Sequence, residues 1–371
     1  MITLFNIRPR ALNVGNDIIA LGLRAFVKEA FGDMVNLISL PATAKYEAHA
    51  KAGLDAATIY EINQYGHGVI VGGGNLYENG ELQFDQNALA ALDAPLMLFS
   101  LSMGRIYGRL DRLVRRTNAM PDDRVRALNE KALVSFARCG ATHDYLKGLG
   151  ITKAALGGCP TLFLDELADR LPDIPEPSRG QVLLSIRNPA LMSIPLDARS
   201  RVREDICAIV DLLVARGWGQ PRLLCHDYRD IEFAASFNGL EFIYADDAAT
   251  FLTLLRSARL NVTYRLHSAL PCFAFGTPCV KISYDERALS LMETAGYGDW
   301  NIDMVKTPHV AAAVADRLDR LSALPAIRAA AQPRWAALRG SMRAGFADFA
   351  AAVHTYRDHG EGSVPFHAPR S

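Results

Sequence analysis

The sequence has no excess of charge of either sign. Its 371 residues include 40 lysines and arginines against 40 aspartates and glutamates, and 22% of the chain is charged. A balanced chain has no overall electric field that would attract nucleic acid or an anionic membrane surface. No nucleic-acid partner is therefore expected, and any anion must be bound by a local cluster of basic side chains.

Membrane and secretion signals are also missing. The longest apolar stretch, residues 88–104, is interrupted by Asp93 and Pro95 and fits a helix end followed by a buried strand better than a membrane span. Residues 1–17 lack the charged-then-apolar layout of a signal peptide. The six cysteines form no Cys-x-x-Cys pair, and several lie inside apolar runs, as reduced core cysteines do. We therefore expect a cytoplasmic protein with no transmembrane segment.

Several common catalytic motifs are absent as well. A dinucleotide-binding Gly-x-Gly-x-x-Gly window that starts at Gly72 fails because its sixth position is Tyr77. The sequence has no nucleotide phosphate loop with its Lys-Ser or Lys-Thr, and no Gly-x-Ser-x-Gly nucleophile elbow. His226 and Asp227 are adjacent, but no paired metal-ligand motif accompanies them, so no metal site is predicted.

What the sequence does contain is a regular alternation of strand and helix patterns. Short apolar runs rich in β-branched residues alternate with longer helical segments in both halves of the chain. We predict, among others, a helix over residues 15–32 that is capped by Asn16 or Asp17, and a single helix over residues 122–140. Alternation of this kind predicts the α/β class, with parallel sheets covered by helices.

A proline-rich stretch divides the chain. Residues 165–180 contain three prolines within six residues, a composition typical of an interdomain linker. We predict two Rossmann-like, doubly wound domains that face each other across a cleft. The first comprises residues 1–170, the linker residues 171–181 and the second domain residues 182–324, and a helical region with a tail follows at residues 325–371.

The carboxyl ends of the predicted strands nominate candidate site residues, because ligands of such sheets bind there. The nominated residues are Gly72 to Asn75, Ser102 to Arg105, Arg187 and Asn188, His226 and Asp227, Arg265 to Ser268, and Tyr284 to Arg287. In the glycine loop, Gly72 to Asn75, the lack of side chains on the glycines lets the backbone approach a neighbouring group closely. That group can be a ligand or another part of the protein, and the sequence favours neither.

The strongest candidate lies where the strand "RLNVTY" turns into a helix. Arg265, His267 and Ser268 are expected at the helix start, where unpaired N–H groups favour an anion. Arg187 ends a second strand of the same half. Two arginines at one sheet edge suggest a bidentate grip on a carboxylate or phosphate. The alternative is that both form salt bridges at the domain rim.

Five segments make the chain similar to the polysaccharide pyruvyl transferase family. They are "NVGND", "VIVGGGNL", "GCPTLFL", "LLSIR" and "VTYRLHSALPCFAFGTPCVKISYDER", and together they reach from about residue 13 to 300. The resemblance implies a GT-B-like pair of domains that moves a pyruvyl group from phosphoenolpyruvate to a sugar. The sugar would belong to a cell-surface or exopolysaccharide glycan or its precursor, and the products would be a pyruvate ketal and phosphate.

The resemblance also implies a donor site in the second domain, with no cofactor beyond phosphoenolpyruvate as co-substrate. The implied donor-binding residues are Arg187, Arg265, Leu266, His267, Ser268 and Arg287. Among them, His267 is the implied catalytic histidine, assisted by Arg265, and Leu266 contributes backbone. Arg287 stands where a lysine is common in the family.

The candidate donor-binding arginines lie in the second domain, so we expect the acceptor to bind to the first domain. The acceptor-binding residues are predicted to be Gly73, Gly74, Asn75, Ser102, Arg105 and Asp17. The family's start commonly reads Asn-x-Gly-Asp, whereas here Asn16 separates Gly15 from Asp17. The acceptor is expected to be a glycan, a lipid-linked sugar or a nucleotide-linked sugar. Two other functions stay open, a GT-B glycosyltransferase that uses a nucleotide sugar and a catalytically silent glycan-binding relative.

Overall fold

A computed structural model describes residues 1–10, 12–44 and 51–360. Two parallel sheets of six strands each form its framework, and helices cover them. The predicted α/β class with two Rossmann-like, doubly wound units is therefore confirmed. The division into domains at residues 171–181 stays a prediction.

The first sheet has the strand order β2-β1-β3-β4-β7-β8. Its elements are β1 (Ile2–Arg8), α1 (Val14–Phe31), β2 (Val35–Pro41), α2 (Ala56–Tyr65), β3 (Gly68–Gly74), α3 (Gln86–Ala90), β4 (Leu96–Leu101), β5 (Ile106–Tyr107), β6 (Leu113–Val114), α4 (Asp122–Lys131), β7 (Val134–Ala137), α5 (Gly140–Gly148) and β8 (Ala155–Leu156). Strands β5 and β6 form a separate antiparallel hairpin. A 3₁₀ segment, Pro160–Arg170, leads out of this half.

The second sheet has the strand order β11-β10-β9-β12-β13-β14. Its elements are β9 (Val182–Ser185), α6 (Leu196–Ala215), β10 (Arg222–Cys225), α7 (Ile231–Ala235), β11 (Phe242–Tyr244), α8 (Ala248–Ser257), β12 (Leu260–Thr263), α9 (Leu266–Phe275), β13 (Cys279–Ser283), α10 (Glu286–Thr294), β14 (Ile302–Asp303), α11 (Val310–Asp319) and α12 (Leu324–Gly360). The central strands are buried on both faces, as parallel strands between two helix layers must be.

The strand order of each sheet reverses once, and the reversal marks a crevice where ligands bind. In the first sheet it lies between β1 and β3, and in the second between β9 and β12. Gly74 is the last residue of β3, Arg187 and Arg265 lie two residues beyond β9 and β12, and Asn13 lies in the connection from β1 to α1. The topology therefore brings the predicted glycine loop and both predicted arginines to crevices at the carboxyl edges of the sheets.

The two carboxyl edges face and contact each other. The Val14 N–H at the start of α1 donates to the main-chain oxygen of His226 at 3.0 Å. On the other side, the Arg105 guanidinium forms a 2.5 Å ion pair with Glu286 of α10. These contacts close the cleft at two places and leave a cavity between them.

Helix α12 returns from the second half to cover the first sheet. Phe346 stacks on Phe26 of α1 with ring centroids 5.4 Å apart, and Phe349 and Val353 are fully buried. Burial of large apolar side chains stabilises a fold by roughly 1.5–3 kcal/mol each. The long helix therefore ties the two halves together at the end of the chain.

Two local predictions were wrong. Residues 122–140 are not one helix, because α4 ends at Lys131 and β7 begins at Val134. The run Val134–Ala137 pairs with β4 and β8, and β-branched and aromatic residues suit such a buried strand. Helix α1 is capped by Asn13, whose side chain accepts a hydrogen bond from the Gly15 N–H at 3.0 Å, and not by either predicted residue.

Candidate functional site

A polar cavity of about 350 Å³ lies between the two carboxyl edges. Its wall from the first half consists of Asn13, Asn16, Thr43, Gly74, Asn75, Glu78, Asn79, Gly80, Glu81, Ile106, Arg116, Asn118 and Arg138. Its wall from the second half consists of Arg187, Leu191, Ser193, His226, Arg229, Arg265, Leu266, His267, Tyr284, Asp285 and Arg287. Arginines thus outnumber carboxylates in the wall by six to three, which favours an anionic ligand.

The β12–α9 junction positions the predicted catalytic pair. Strand β12 ends at Thr263, whose hydroxyl accepts a hydrogen bond from the Arg265 N–H at 2.8 Å. Arg265 has extended backbone and stands just before α9, which ends at Phe275 and is followed by Gly276 with a left-handed φ of 78°. Leu266 and His267 therefore occupy the first turn, where N–H groups have no helical partner and can face an anion.

The two arginines predicted to bind an anion are both paired with buried carboxylates. Arg187 contacts Asp227 at 3.1 Å and Asp230 at 3.4 Å, and Arg265 contacts Asp230 at 3.5 Å. Although burial raises the pKa of Asp227, hydrogen bonds from Arg229 and the charge of Arg187 lower it to about 2. The carboxylates hold the guanidinium groups in place at the cavity wall, and part of their charge is already compensated.

Arg138 is a site residue that the sequence reasoning missed. Its side chain is only 1% exposed, its Nε atom has no hydrogen-bond partner, and it forms no ion pair with any of the residues that the structure describes. Its Nη2 atom lies 3.1 Å from His267 Nε2. The sequence could have indicated Arg138, because it directly follows the strand Val134–Ala137. The prediction of a helix over this run meant that no strand end was recognised there.

His267 lies between the two halves of the cavity. Burial and then the charges of Arg138, Arg287 and Arg265 hold its pKa well below the ordinary value, so the ring is neutral near pH 7. Because Nε2 faces the Arg138 guanidinium, a donor, the network assigns the ring proton to Nδ1. A Cβ atom at Gly15 would stand only 2.8 Å from Nδ1, so the glycine of the "NVGND" segment makes room for this ring.

His226, nominated because it follows a predicted strand, forms part of the same wall. It is 1% exposed, and its Nε2 atom has no partner among the described residues. Burial, and after it the charges of Arg265 and His267, lower its pKa well below the ordinary value. A neutral, unpaired imidazole nitrogen beside Arg265 offers a further hydrogen bond to a ligand.

Glu78 is an almost completely buried carboxyl of the cavity wall. Burial raises its pKa to about 7, although the charge of Arg287 acts in the opposite direction. Its Oε1 accepts a hydrogen bond from Ser102 Oγ at 2.9 Å, and its Oε2 accepts one from the Gly104 N–H at 3.0 Å. The sequence reasoning did not nominate it, because Glu78 stands beyond the glycine loop and matches no motif.

The structure brings some predicted residues to the cavity and leaves others outside. Those at the cavity are Gly74, Asn75, Arg187, His226, Arg265, Leu266, His267, Tyr284, Asp285 and Arg287. Ser268 is not among them, because its hydroxyl lies in the core, 2.9 Å from Ser185 Oγ. The helix turns it away from the ligand side, where His267 faces.

Four predicted acceptor residues also lie outside the cavity wall. Gly73 packs against α1, since a Cβ there would stand 3.0 Å from the Ile19 side chain. Ser102 is fully buried beneath Glu78, and Arg105 is taken up by Glu286. Asp17 pairs with Arg8 at 2.8 Å in the first turn of α1, a position that the extra Asn16 gives it. These residues support the wall and do not line the cavity.

Replacing Glu78 by glutamine should stabilise the protein at alkaline pH. The pKa of Glu78 is raised from 4.5 to about 7, so its stabilising contribution is full below pH 4.5 and is lost as the pH rises through 7. Glutamine stays neutral, and the gain in unfolding free energy should be roughly 1–3 kcal/mol above pH 7. Thermal melts of both proteins at pH 5 and 8.5 measure the gap. The exposed Glu241→Gln variant is the control, and an equal gap at both pH values contradicts the prediction.

Two searches of the described ranges gave negative results. In residues 1–10, 12–44 and 51–360, no helix is both long and apolar enough to cross a membrane. Within the same ranges, no group of three histidine, cysteine, aspartate or glutamate side chains is placed to hold a metal ion.

Comparison with known proteins identifies the family. The family model for polysaccharide pyruvyl transferase matches residues 13–286, and the chain belongs to that family. A structure described as a UDP-N-acetylglucosamine 2-epimerase from Listeria monocytogenes is similar, with 14% identity over 88% of this chain and 90% of that one and a TM-score of 0.55. The α,α-trehalose-phosphate synthase (UDP-forming) of Burkholderia vietnamiensis is 14% identical over 98% of both chains, with a TM-score of 0.51. No curated protein sequence gives a significant match. At such identities the likeness concerns the fold, which is of the GT-B type.

Proposed function

We propose that this chain transfers a pyruvyl group from phosphoenolpyruvate to a sugar of a cell-surface or exopolysaccharide glycan, or of its precursor. The reaction forms a pyruvate ketal and releases phosphate. One observation supports the proposal beyond the family: the buried guanidinium of Arg138, which forms no ion pair with any described residue, contacts His267 at 3.1 Å in the cavity. A buried charge without a partner is costly, so the site is built to receive an anion next to a proton-transfer group.

Phosphoenolpyruvate suits this cavity because it carries two anionic groups, a carboxylate and a phosphate. Planar guanidinium groups bind both bidentately. Arg265 and Arg187 are held by Asp230 and Asp227 on one side, and Arg138 reaches in from the first half. The first N–H groups of α9 add a partial positive charge on the same side.

His267 then has a defined role in the chemistry. The three arginines that lower its pKa are the groups that a bound dianion would neutralise, so donor binding should raise that pKa and allow the ring to take up a proton. The protonated ring delivers this proton to the methylene carbon of the donor. The adjacent carbon becomes an oxygen-stabilised cation that a sugar hydroxyl attacks, phosphate leaves, and a second hydroxyl closes the ketal.

The remaining expectations follow from this scheme. It involves no net oxidation, so no redox cofactor is needed, and the guanidinium groups supply the charge for which other phosphate enzymes use a metal. We propose that the acceptor binds at the wall of the first half, where Gly74 and Asn75 line the cavity. It is a glycan, a lipid-linked sugar or a nucleotide-linked sugar. We place the reaction in the cytoplasm.

The test is binding and turnover with phosphoenolpyruvate. Calorimetry should show saturable binding of phosphoenolpyruvate and weaker or no binding of UDP and UDP-N-acetylglucosamine. Phosphate release from phosphoenolpyruvate should then depend on the acceptor in a panel of methyl glycosides, lipid-linked sugars and UDP-sugars. Preferential binding of the nucleotide sugar would point to a glycosyltransferase. Binding of glycans without any phosphate release would point to a silent relative.

A further inference from the structure

Glu78 occupies the cavity wall opposite the donor arginines without a role in the scheme above. It follows β3 in the first half, and its side chain is almost completely buried. Ser102 Oγ and the Gly104 N–H each donate one hydrogen bond to it, one to each carboxyl oxygen. A carboxylate accepts about four hydrogen bonds, so two acceptor positions remain for a ligand.

The groups around Glu78 tie it to the reacting centre. Arg287, at the start of α10, places Nη1 3.8 Å from Glu78 Oε1, and Asp285 pairs with the same arginine at 2.7 Å. Arg138 adds its charge from the end of β7. Both arginines also act on His267, so the carboxyl and the imidazole face one cavity with the same two guanidinium groups beside them.

Ketal formation needs a second proton-transfer group besides His267. One group must give a proton to the methylene carbon, and another must take a proton from the attacking hydroxyl. Efficient catalysis favours a base whose pKa lies near the working pH, and burial raises the pKa of Glu78 to about 7. The charges of Arg287 and Arg138 and the hydrogen bond from Ser102 lower the pKa of Glu78 against the effect of burial, and so favour the carboxylate form that can take a proton.

We propose that Glu78 is the general base that accepts the proton of the attacking acceptor hydroxyl and the general acid that returns it to the departing phosphate. This proposal rests on the proposed pyruvyl transfer. In the first half-reaction, His267-H⁺ protonates the methylene carbon, the hydroxyl oxygen bonds to the neighbouring carbon, and its proton passes to Glu78. In the second, the bond to phosphate breaks and Glu78 protonates the leaving oxygen. The second hydroxyl then closes the ring and gives its proton to His267, which restores both groups.

A structural role for Glu78 is the alternative, since it also holds the loop at residues 102–104 in place. Two variants, measured beside a control, distinguish the structural role from the catalytic one. Glu78→Gln keeps the shape and one acceptor oxygen but cannot take a proton. Ser102→Ala removes one hydrogen bond that lowers the pKa of Glu78, so that pKa should rise. Glu241→Gln, on the exposed surface, is the matched control.

The experiment measures phosphate release from phosphoenolpyruvate between pH 5 and 9, with the acceptor that gives the highest rate in the panel. Phosphoenolpyruvate binding is measured by calorimetry in parallel. Glu78→Gln should lower kcat by about 10²-fold or more and remove the rise of kcat with pH, because the base is lost. Donor binding should stay equal or become tighter, since a negative charge near the dianion has been removed. Ser102→Ala should move the rise of kcat to higher pH.

Three outcomes would overturn the inference. The first is that Glu78→Gln keeps kcat within threefold of the wild type with an unchanged pH profile. Alternatively, it loses donor affinity to the same extent as turnover, as a collapsed loop predicts. If it does not fold, Ser102→Ala decides, and an unshifted pH profile in that variant counts against Glu78 as the base. Wild-type protein that binds phosphoenolpyruvate but releases no phosphate with any acceptor would instead overturn the proposed function itself.

Discussion

Arg138→Met should lower the affinity for phosphoenolpyruvate by a factor of roughly 30 to 3,000 while leaving the protein at least as stable as the wild type. The loss corresponds to about 2–5 kcal/mol, the usual effect of removing one partner from a desolvated charge pair. Stability should not suffer, because Arg138 forms no ion pair with a described carboxylate and Glu78 keeps Arg287 as a neighbouring cation when Arg138 is removed.

Arg265→Met gives the contrasting result. Its removal should also weaken donor binding, but it leaves Asp230 buried beside Arg187 with one fewer partner, so the melting temperature should fall. Comparing the two variants separates donor binding from folding. Arg222→Met is the control, since that arginine pairs with the exposed Glu241 away from the cavity.

Calorimetry with phosphoenolpyruvate and thermal melts of all four proteins provide the measurements. If Arg138→Met folds and binds the donor as tightly as the wild type, the donor does not occupy this cavity. If Arg138→Met and Arg265→Met lose stability equally, then the ion pair between Arg265 and Asp230 does not set the two arginines apart in their contribution to folding.

The sequence predicted the framework well for a physical reason. A parallel strand that is buried on both faces must be continuously apolar, and its end must be polar, so runs such as the one before Arg187 and the one before Arg265 are visible without a structure. The opening of α9 after β12 was predicted to within a residue or two. The strand β7 was missed because Val134–Ala137 directly follows α4 with only two residues between them.

The site was harder to predict than the fold. A sequence shows which residues follow a strand, but not which way each side chain points after the chain turns. Ser268 and Ser102 both follow strands, yet both face the core and hold other residues in place. Arg138 acquires its importance from burial without an ion-pair partner among the described residues, and Glu78 from burial that raises its pKa to about 7. Both are properties of the assembled cleft that no local pattern encodes.

His267→Gln should lower kcat by about 10²-fold or more while phosphoenolpyruvate binding stays within a few-fold of the wild type. Glutamine can offer an oxygen to the Arg138 guanidinium where Nε2 now accepts, so the wall of the cavity should survive. It cannot carry a proton to the methylene carbon. His143→Gln, on α5 and away from the cavity, is the control.

The number of protons taken up on donor binding distinguishes the two roles of His267, because replacing a purely structural histidine would leave that number unchanged. The pKa of His267 is low because the ring is buried among Arg138, Arg287 and Arg265, and a bound dianion compensates those charges. Calorimetry in two buffers with different ionisation enthalpies should therefore show fewer protons taken up by His267→Gln than by the wild type near pH 7. Equal uptake together with turnover near the wild-type level would return His267 to a purely structural role. Reduced uptake with retained donor affinity and lost turnover would instead mark it as the group that protonates the donor.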